Sequence, residues 1–238
     1  MMADVETLMS DPARDAGFRW RGANVSRLEG LSDAVFGFAI TLLVVSLEVP
    51  RSFTELVESM RGLGAFAISF AILFATWHNQ YLWFRRYGLE DRATTALNAA
   101  LLFLVVFYVY PLKFLMSAMV AVFRGANTLS GDEWSGLLRI YSLGFITISV
   151  MFILLYRHAW RRREALQLNA AECLETRHGL IEHAIMVSIG TLAYLTALSG
   201  GRGALVSGME YLLIPIALTT LRAMRRRERA RLGQDPER

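Results

Sequence analysis

Six stretches of this chain, at about 28–49, 62–84, 95–120, 136–156, 180–198 and 204–224, are apolar over roughly the length of a bilayer crossing. A helix needs roughly 20 mostly apolar residues to cross the hydrocarbon core. Inside that core each backbone N–H and C=O must be satisfied within the segment or its barrel partners, so stretches this long are predicted to be helices. The composition agrees. The chain is 54% hydrophobic and 19% charged, against about 25% charged in an ordinary soluble domain. The first stretch does not read as a secretory leader. A polar lead of about 25 residues containing acids precedes it, no small-residue cleavage site follows, and five further stretches come after. The expected fold is all-α, a polytopic membrane protein with six transmembrane helices.

The charges orient the bundle. Of the 25 basic residues, nineteen lie at or before Arg27, in 85–92, in 157–177 and from Arg222 onward, all on one side of the alternating spans. Four, namely Arg51, Arg61, Arg124 and Arg202, fall on the other side, while Lys113 and Arg139 sit within or at the edge of spans. Basic residues near span ends favour the cytoplasm, so both termini are expected there and the number of spans is even. The expected division is a cytoplasmic tail at 1–25, a six-helix membrane domain at 26–224 and a basic cytoplasmic tail at 225–238. The stretch Arg157–Gly179, rich in Arg, Glu, Ala and Leu, reads as a cytoplasmic helix continuing the fourth span.

Several function classes fit poorly. The basic residues border membrane spans, where orientation and anionic headgroups account for them, so no nucleic-acid partner is expected. Cys173 is the single cysteine, which rules out an internal disulfide. No metal-ligand spacing, Gly-rich phosphate loop or nucleophile elbow occurs, and His78, His158, His178 and His183 are dispersed. No enzyme, metal site or cofactor is expected. Aromatic residues near span ends (Trp77, Tyr81, Trp83, Trp134, Trp160, Tyr211) read as an interfacial belt, and Pro111 and Pro215 as span kinks.

Polar groups at membrane depth are costly, which makes them functional candidates. Lys113, Glu182 and Glu210 lie near boundaries, where snorkelling is the simpler reading. The first helix differs. At about 100° per residue, Leu31, Ala34, Phe38, Thr41, Leu42 and Val45 share one face, which Arg27 continues. Ser32 and Asp33 point away from it. They either cap the helix start or bond to His78, Asn79 and Asn98 on the next helices, leaving the apolar face free to line something.

The run Arg27-Leu28-Glu29-Gly30-Leu31-Ser32-Asp33, continued by Ala34-Val35-Phe36-Gly37-Phe38-Ala39-Ile40-Thr41-Leu42-Leu43, resembles the first-helix signature of the transmembrane protein 175 family, Arg-x-x-x-Phe-Ser-Asp. Trp77-His78-Asn79 late in the second span resembles that family's Trp/His cluster. The likeness extends over nearly the whole chain through six spans and cytoplasmic ends. Leu31 stands where the family usually has Phe.

The resemblance implies a potassium-permeable channel without the Thr-Val-Gly-Tyr-Gly filter, which this chain also lacks. Its single six-helix repeat resembles the prokaryotic members, implying a homotetramer in the cell membrane with potassium as permeant ion and the lipid bilayer as surroundings. Family positions carried over put pore constrictions at Phe38, Leu42 and Val45, with Thr41 a pore-facing threonine linked to potassium preference. They also put Arg27, Leu31, Ser32, Asp33, Trp77, His78 and Asn98 in a motif and interhelical network. Phe38 departs from the usual Ile or Leu, and four phenylalanine rings would narrow the path. The competing readings are a coupled transporter, for which mid-span acids are missing, and a non-conducting membrane scaffold.

Overall fold

The computed structural model describes residues 18–22, 24–45, 51–126, 129–200 and 202–234. Among these residues the chain is all helix: α1 (Arg27–Val45), α2 (Phe53–Arg61), α3 (Leu63–Tyr87), α4 (Arg92–Phe123), α5 (Gly131–Arg161), α6 (Ala170–Leu198), α7 (Arg202–Glu210) and α8 (Leu213–Gln234). Three of them, α4, α5 and α6, are individually long and apolar enough to cross a membrane. At 1.5 Å rise per residue, the 19 residues of α1 span about 28 Å.

α4 and α5 outrun their apolar stretches at both ends, α3 at its end and α6 at its start, because local capping, not hydropathy, decides where these helices begin and stop. Asp91 accepts from the Thr94 N–H and starts α4. Ser130 with Glu133 and Asn169 with Glu172 form capping boxes that start α5 and α6, each satisfying two end groups that would otherwise be orphaned. Gly88, in the left-handed region at φ 57°, ends α3 and donates to Phe84 O at 2.8 Å.

Two expectations are corrected. Arg157–Gly179 is not a helical continuation of the fourth span. α5 stops at Arg161, a turn containing Gln167 at φ 49° reverses the chain, and Asn169 opens α6. The sixth stretch is not one helix either. It breaks at Tyr211–Leu212 into α7 and α8, where tight turns run from Leu212 N to Met209 O and from Ile214 N to Tyr211 O. Pro215 sits in the first turn of α8, where a missing N–H costs nothing.

Packing is sequential. α6 lies chiefly on α5, with α7 and α8 against α6, while α1 packs on α3 and α4. Phe36, Ala39 and Leu43 carry the inner face of α1 into a core that includes Leu73, Leu101 and Val105. Trp83 belongs to that core as well. It is fully buried against Phe84 and Tyr87, not part of an interfacial belt. Gly144 lets the Tyr108 ring seat on α5, since a Cβ there would lie 2.1 Å from it.

The ends of α3 and α5 and the starts of α4 and α6 meet on one side, and the described part of the N-terminal lead is docked there. Phe18 is buried edge-on against Tyr87. The N–H groups of Arg21 and Gly22 donate to Arg85 O at 3.0 and 3.1 Å. Arg21 forms a 2.6 Å ion pair with buried Glu172 and also donates to Leu166 O. His158 and Arg162 both reach Asp91, at 2.8 and 3.3 Å. Beyond Arg225 the chain remains helical to Gln234, tied to α6 by Arg225–Glu175 and His178–Glu228. Residues 1–17, 23 and 235–238, the rest of the expected tails, lie outside the described residues.

The candidate pore helix and its polar corner

The helix start belongs to Ser26, not to Ser32-Asp33. Ser26 Oγ accepts from the Glu29 N–H at 3.0 Å, which leaves Ser32 and Asp33, more than a turn inside, free for tertiary contacts. Ser32 is buried. Its hydroxyl donates to Leu28 O at 2.8 Å and accepts from Asn98 Nδ2 at 2.9 Å. Asn98 Oδ1 in turn accepts from Gln80 Nε2, and all three residues are almost completely shielded. This triad joins α1, α4 and α3 through polar groups that apolar surroundings would otherwise leave unpaired, a cost of about 1–3 kcal/mol each.

Asp33 makes a different contact. Its Oδ1 accepts from the Trp77 indole N–H at 2.7 Å. Trp77 stacks on Tyr81 and packs beside Phe74, so the aromatic ladder of α3 fixes the donor. One turn nearer the helix start, buried Glu29 pairs with Arg85 at 3.4 Å. Arg85 lies over the rings of Tyr81 and Trp20 and donates to Gly22 O at 2.9 Å. The polar corner therefore clamps α1 to α3 and α4 and also reaches the docked lead.

The structure brings Ser32 to Asn98 and Asp33 to Trp77, but it does not bring Arg27 or His78 to either. Arg27 is exposed at the helix start. His78 instead stacks beside Phe74 and Tyr81, 6.5 Å from the Trp77 ring, and lines a cavity between α3 and the later helices. Gln80, Glu29 and Arg85 are network members that sequence reasoning missed. Gln80 carried the signal, being a polar residue at membrane depth next to Asn79. Glu29 could have been read from the Ser26-x-x-Glu29 capping spacing, though its partner could not.

The opposite face of α1 has no partner among the described residues of the subunit. Leu31 is 56% and Phe38 67% exposed, and Arg27, Ala34 and Thr41 are exposed along the same stripe. Leu42 sits on its shoulder, partly packed on the core. Val45 ends the helix, and its side chain lies outside the described residues. Thr41 Oγ1 donates to Phe38 O at 2.7 Å. Its only donor is spent on the backbone, so the exposed oxygen offers lone pairs. Near the far end of the helix, Lys113 Nζ donates to Leu43 O at 2.8 Å, placing a cation against the helix C-terminus, where the macrodipole is negative.

Comparison with known proteins gives a consistent result. The profile of the family described as endosomal/lysosomal potassium channel TMEM175 matches residues 27–108, the part that holds α1, α3 and the Asn98 region of α4. A protein named potassium channel from Marivirga tractuosa is 35% identical over 234 residues, covering 92% of this chain and 94% of that protein. A potassium channel of Chamaesiphon minutus is 30% identical over 145 residues, 58% of this chain and 66% of its own length. Among solved structures, a variant of the potassium channel MtTMEM175 bound to a nanobody–MBP fusion superimposes with TM-score 0.79 at 34% identity, over 87% of this chain and 96% of that one. The structure of a lysosomal potassium-selective channel TMEM175 homologue from Chamaesiphon minutus matches with TM-score 0.50 at 24% identity, over 79% of this chain and 96% of that one, a likeness of fold.

Proposed function

The chain belongs to the endosomal/lysosomal potassium channel TMEM175 family, and from that premise we propose that it conducts potassium through a pore lined by the free face of α1. It is a multi-pass membrane protein with bacterial relatives. In this reading α1, α3, α4, α5, α6 and the α7–α8 pair make six crossings, with residues 26–224 as the channel domain. The basic side, where the docked lead and the α5–α6 turn meet, faces the cytoplasm of a prokaryotic cell.

The observation that carries the reading is the exposed stripe Leu31–Ala34–Phe38–Thr41 on a helix whose other side is firmly clamped. One such helix per subunit around a four-fold axis closes a channel. Phe38, Leu42 and Val45 then form apolar rings, which gate by dewetting, and Thr41 adds a ring of oxygen acceptors between them. The chemistry needed is passive: the pore offers a cation acceptor oxygens and withholds anionic traps.

Potassium efflux from liposomes carrying the purified protein, set against sodium efflux, tests this. Wild type should pass potassium faster than sodium, Thr41→Ala should erode that preference, and Phe38→Ser should raise total flux. Equal fluxes for wild type and all substitutions along the stripe would exclude α1 as the pore wall.

A further inference from the structure

A groove of about 490 Å³ runs between α6 and α8, apart from the free face of α1. It opens outward, with Ile181, Thr220 and Met224 exposed along it. Arg177, His178 and Glu228 line its basic end, and Ile181, Ile185, Leu221 and Ala217 line its deeper part. From Arg177 to Ile185 on α6 the rise is about 12 Å, and from Glu228 to Ala217 on α8 about 16 Å. One leaflet of a bilayer core is roughly 15 Å deep. The groove therefore starts among charges and runs about as deep as one leaflet.

The apolar part takes hydrocarbon whatever the lipid, since an unfilled gap forfeits the dispersion contacts of its walls. The basic end is selective. Arg177 is an exposed liner, and Arg227, also exposed, follows Thr220 and Met224 at helical spacing on one stripe of α8. Neither arginine makes a hydrogen bond or ion pair among the described residues. Arg225 and Arg229, on the other flank of α8, are held by Glu175. Glu228 is the one acid among the described liners, and it accepts from Nε2 of buried His178 at 2.8 Å. Two guanidiniums against one engaged carboxylate leave this end net positive. Guanidinium forks bind phosphate in bidentate pairs, and basic pockets between helices at the cytoplasmic surface suit anionic headgroups.

We propose that the α6–α8 groove binds one anionic phospholipid per subunit, its phosphate on Arg177 and Arg227 and an acyl chain along Ile181 and Ile185. A zwitterionic lipid enters the same apolar slot, but its own ammonium cancels the charge that the arginines attract. The binding does not depend on how α1 conducts.

Native mass spectrometry of the purified channel tests it. The protein is equilibrated with phosphatidylglycerol or with phosphatidylcholine of the same acyl chains, for wild type, Arg177→Gln, Arg227→Gln, Arg226→Gln and Ile181→Trp. The wild type should retain phosphatidylglycerol over phosphatidylcholine, and Arg177→Gln and Arg227→Gln should each lower that preference about fivefold. Arg226 is exposed and faces away from the groove on α8, so Arg226→Gln removes the same charge and should leave the preference near wild type. Ile181→Trp, which fills the slot and keeps both arginines, should weaken both lipids. Equal retention of the two lipids by wild type, or a loss in Arg226→Gln as large as in Arg177→Gln, overturns the proposal. Displacement of the lipid by inorganic phosphate overturns it too, because the ligand is then a free anion. Subunit assembly is read in the same spectra, and its loss in Ile181→Trp would make the groove a contact between copies of the chain and equally overturn it.

Discussion

Asn98 of α4 donates a 2.9 Å hydrogen bond to Ser32 of α1 while its carbonyl oxygen accepts from Gln80 of α3. One amide thus joins three helices, and its loss strands two partners at once.

Asn98→Leu should therefore destabilise more than Ser32→Ala. The first leaves Gln80 Nε2 without its acceptor, at about 1–3 kcal/mol. The second removes one membrane hydrogen bond, which averages about 0.6 kcal/mol, while Asn98 keeps Gln80. Thermal unfolding of the detergent-solubilised protein checks the order, and equal stability of Asn98→Leu and wild type would count against the triad.

Gly88→Ala should loosen the docked lead. The position has φ 57°, and a Cβ there would lie 2.9 Å from the Arg21 carbonyl carbon, backbone that cannot step aside alone. Strain of about 1–3 kcal/mol is expected, together with faster proteolytic cleavage near residues 18–22. Unchanged cleavage would show that the lead docks independently of this turn.

Acid should weaken the α4–α5 end. Burial alone would raise the Asp91 carboxyl, but hydrogen bonds from the Thr94 N–H, His158 and the Thr94 hydroxyl outweigh it and hold the group below its ordinary value of about 3.8. A carboxyl depressed on folding stabilises above its unfolded value and loses that stabilisation as pH falls through its folded value. The melting temperature should drop more steeply below about pH 4 in wild type than in Asp91→Asn, whose N-cap side chain no longer titrates. Parallel curves would contradict the assignment.

Phe38→Ser should increase potassium flux. If the Phe38 ring dewets the pore, a barrier lowered by about 1.4 kcal/mol raises the rate about tenfold. The paired control is Phe36→Leu on the buried face of the same helix, which should leave flux near wild type. A larger effect from Phe36 than from Phe38 would mean that the wrong face of α1 has been placed at the axis.

Much of the fold is legible without coordinates. Hydropathy places the helices because bilayer thickness sets a length that the composition must meet. The Ser130/Glu133 and Asn169/Glu172 spacings mark helix starts that hydropathy misses, since capping is a local matter of two side chains and two N–H groups. The break at Tyr211–Leu212 is harder to see. Pro215 reads equally as a kink or as the first turn of a new helix, and only packing of α7 against α6 and α5 separates the two.

The sequence by itself determined that α1 has an apolar face and a polar corner, because helical period alone assigns residues to faces. It could not determine which polar residues meet. Ser32 found Asn98, Asp33 found Trp77, and the neighbouring His78 lines a cavity towards the later helices, although all lie within reach by depth. That choice belongs to the rotation of α3 and α4 about their axes. The rotation is set by the summed packing of Leu73, Leu101, Val105 and Trp83 in the core, and no single motif encodes it.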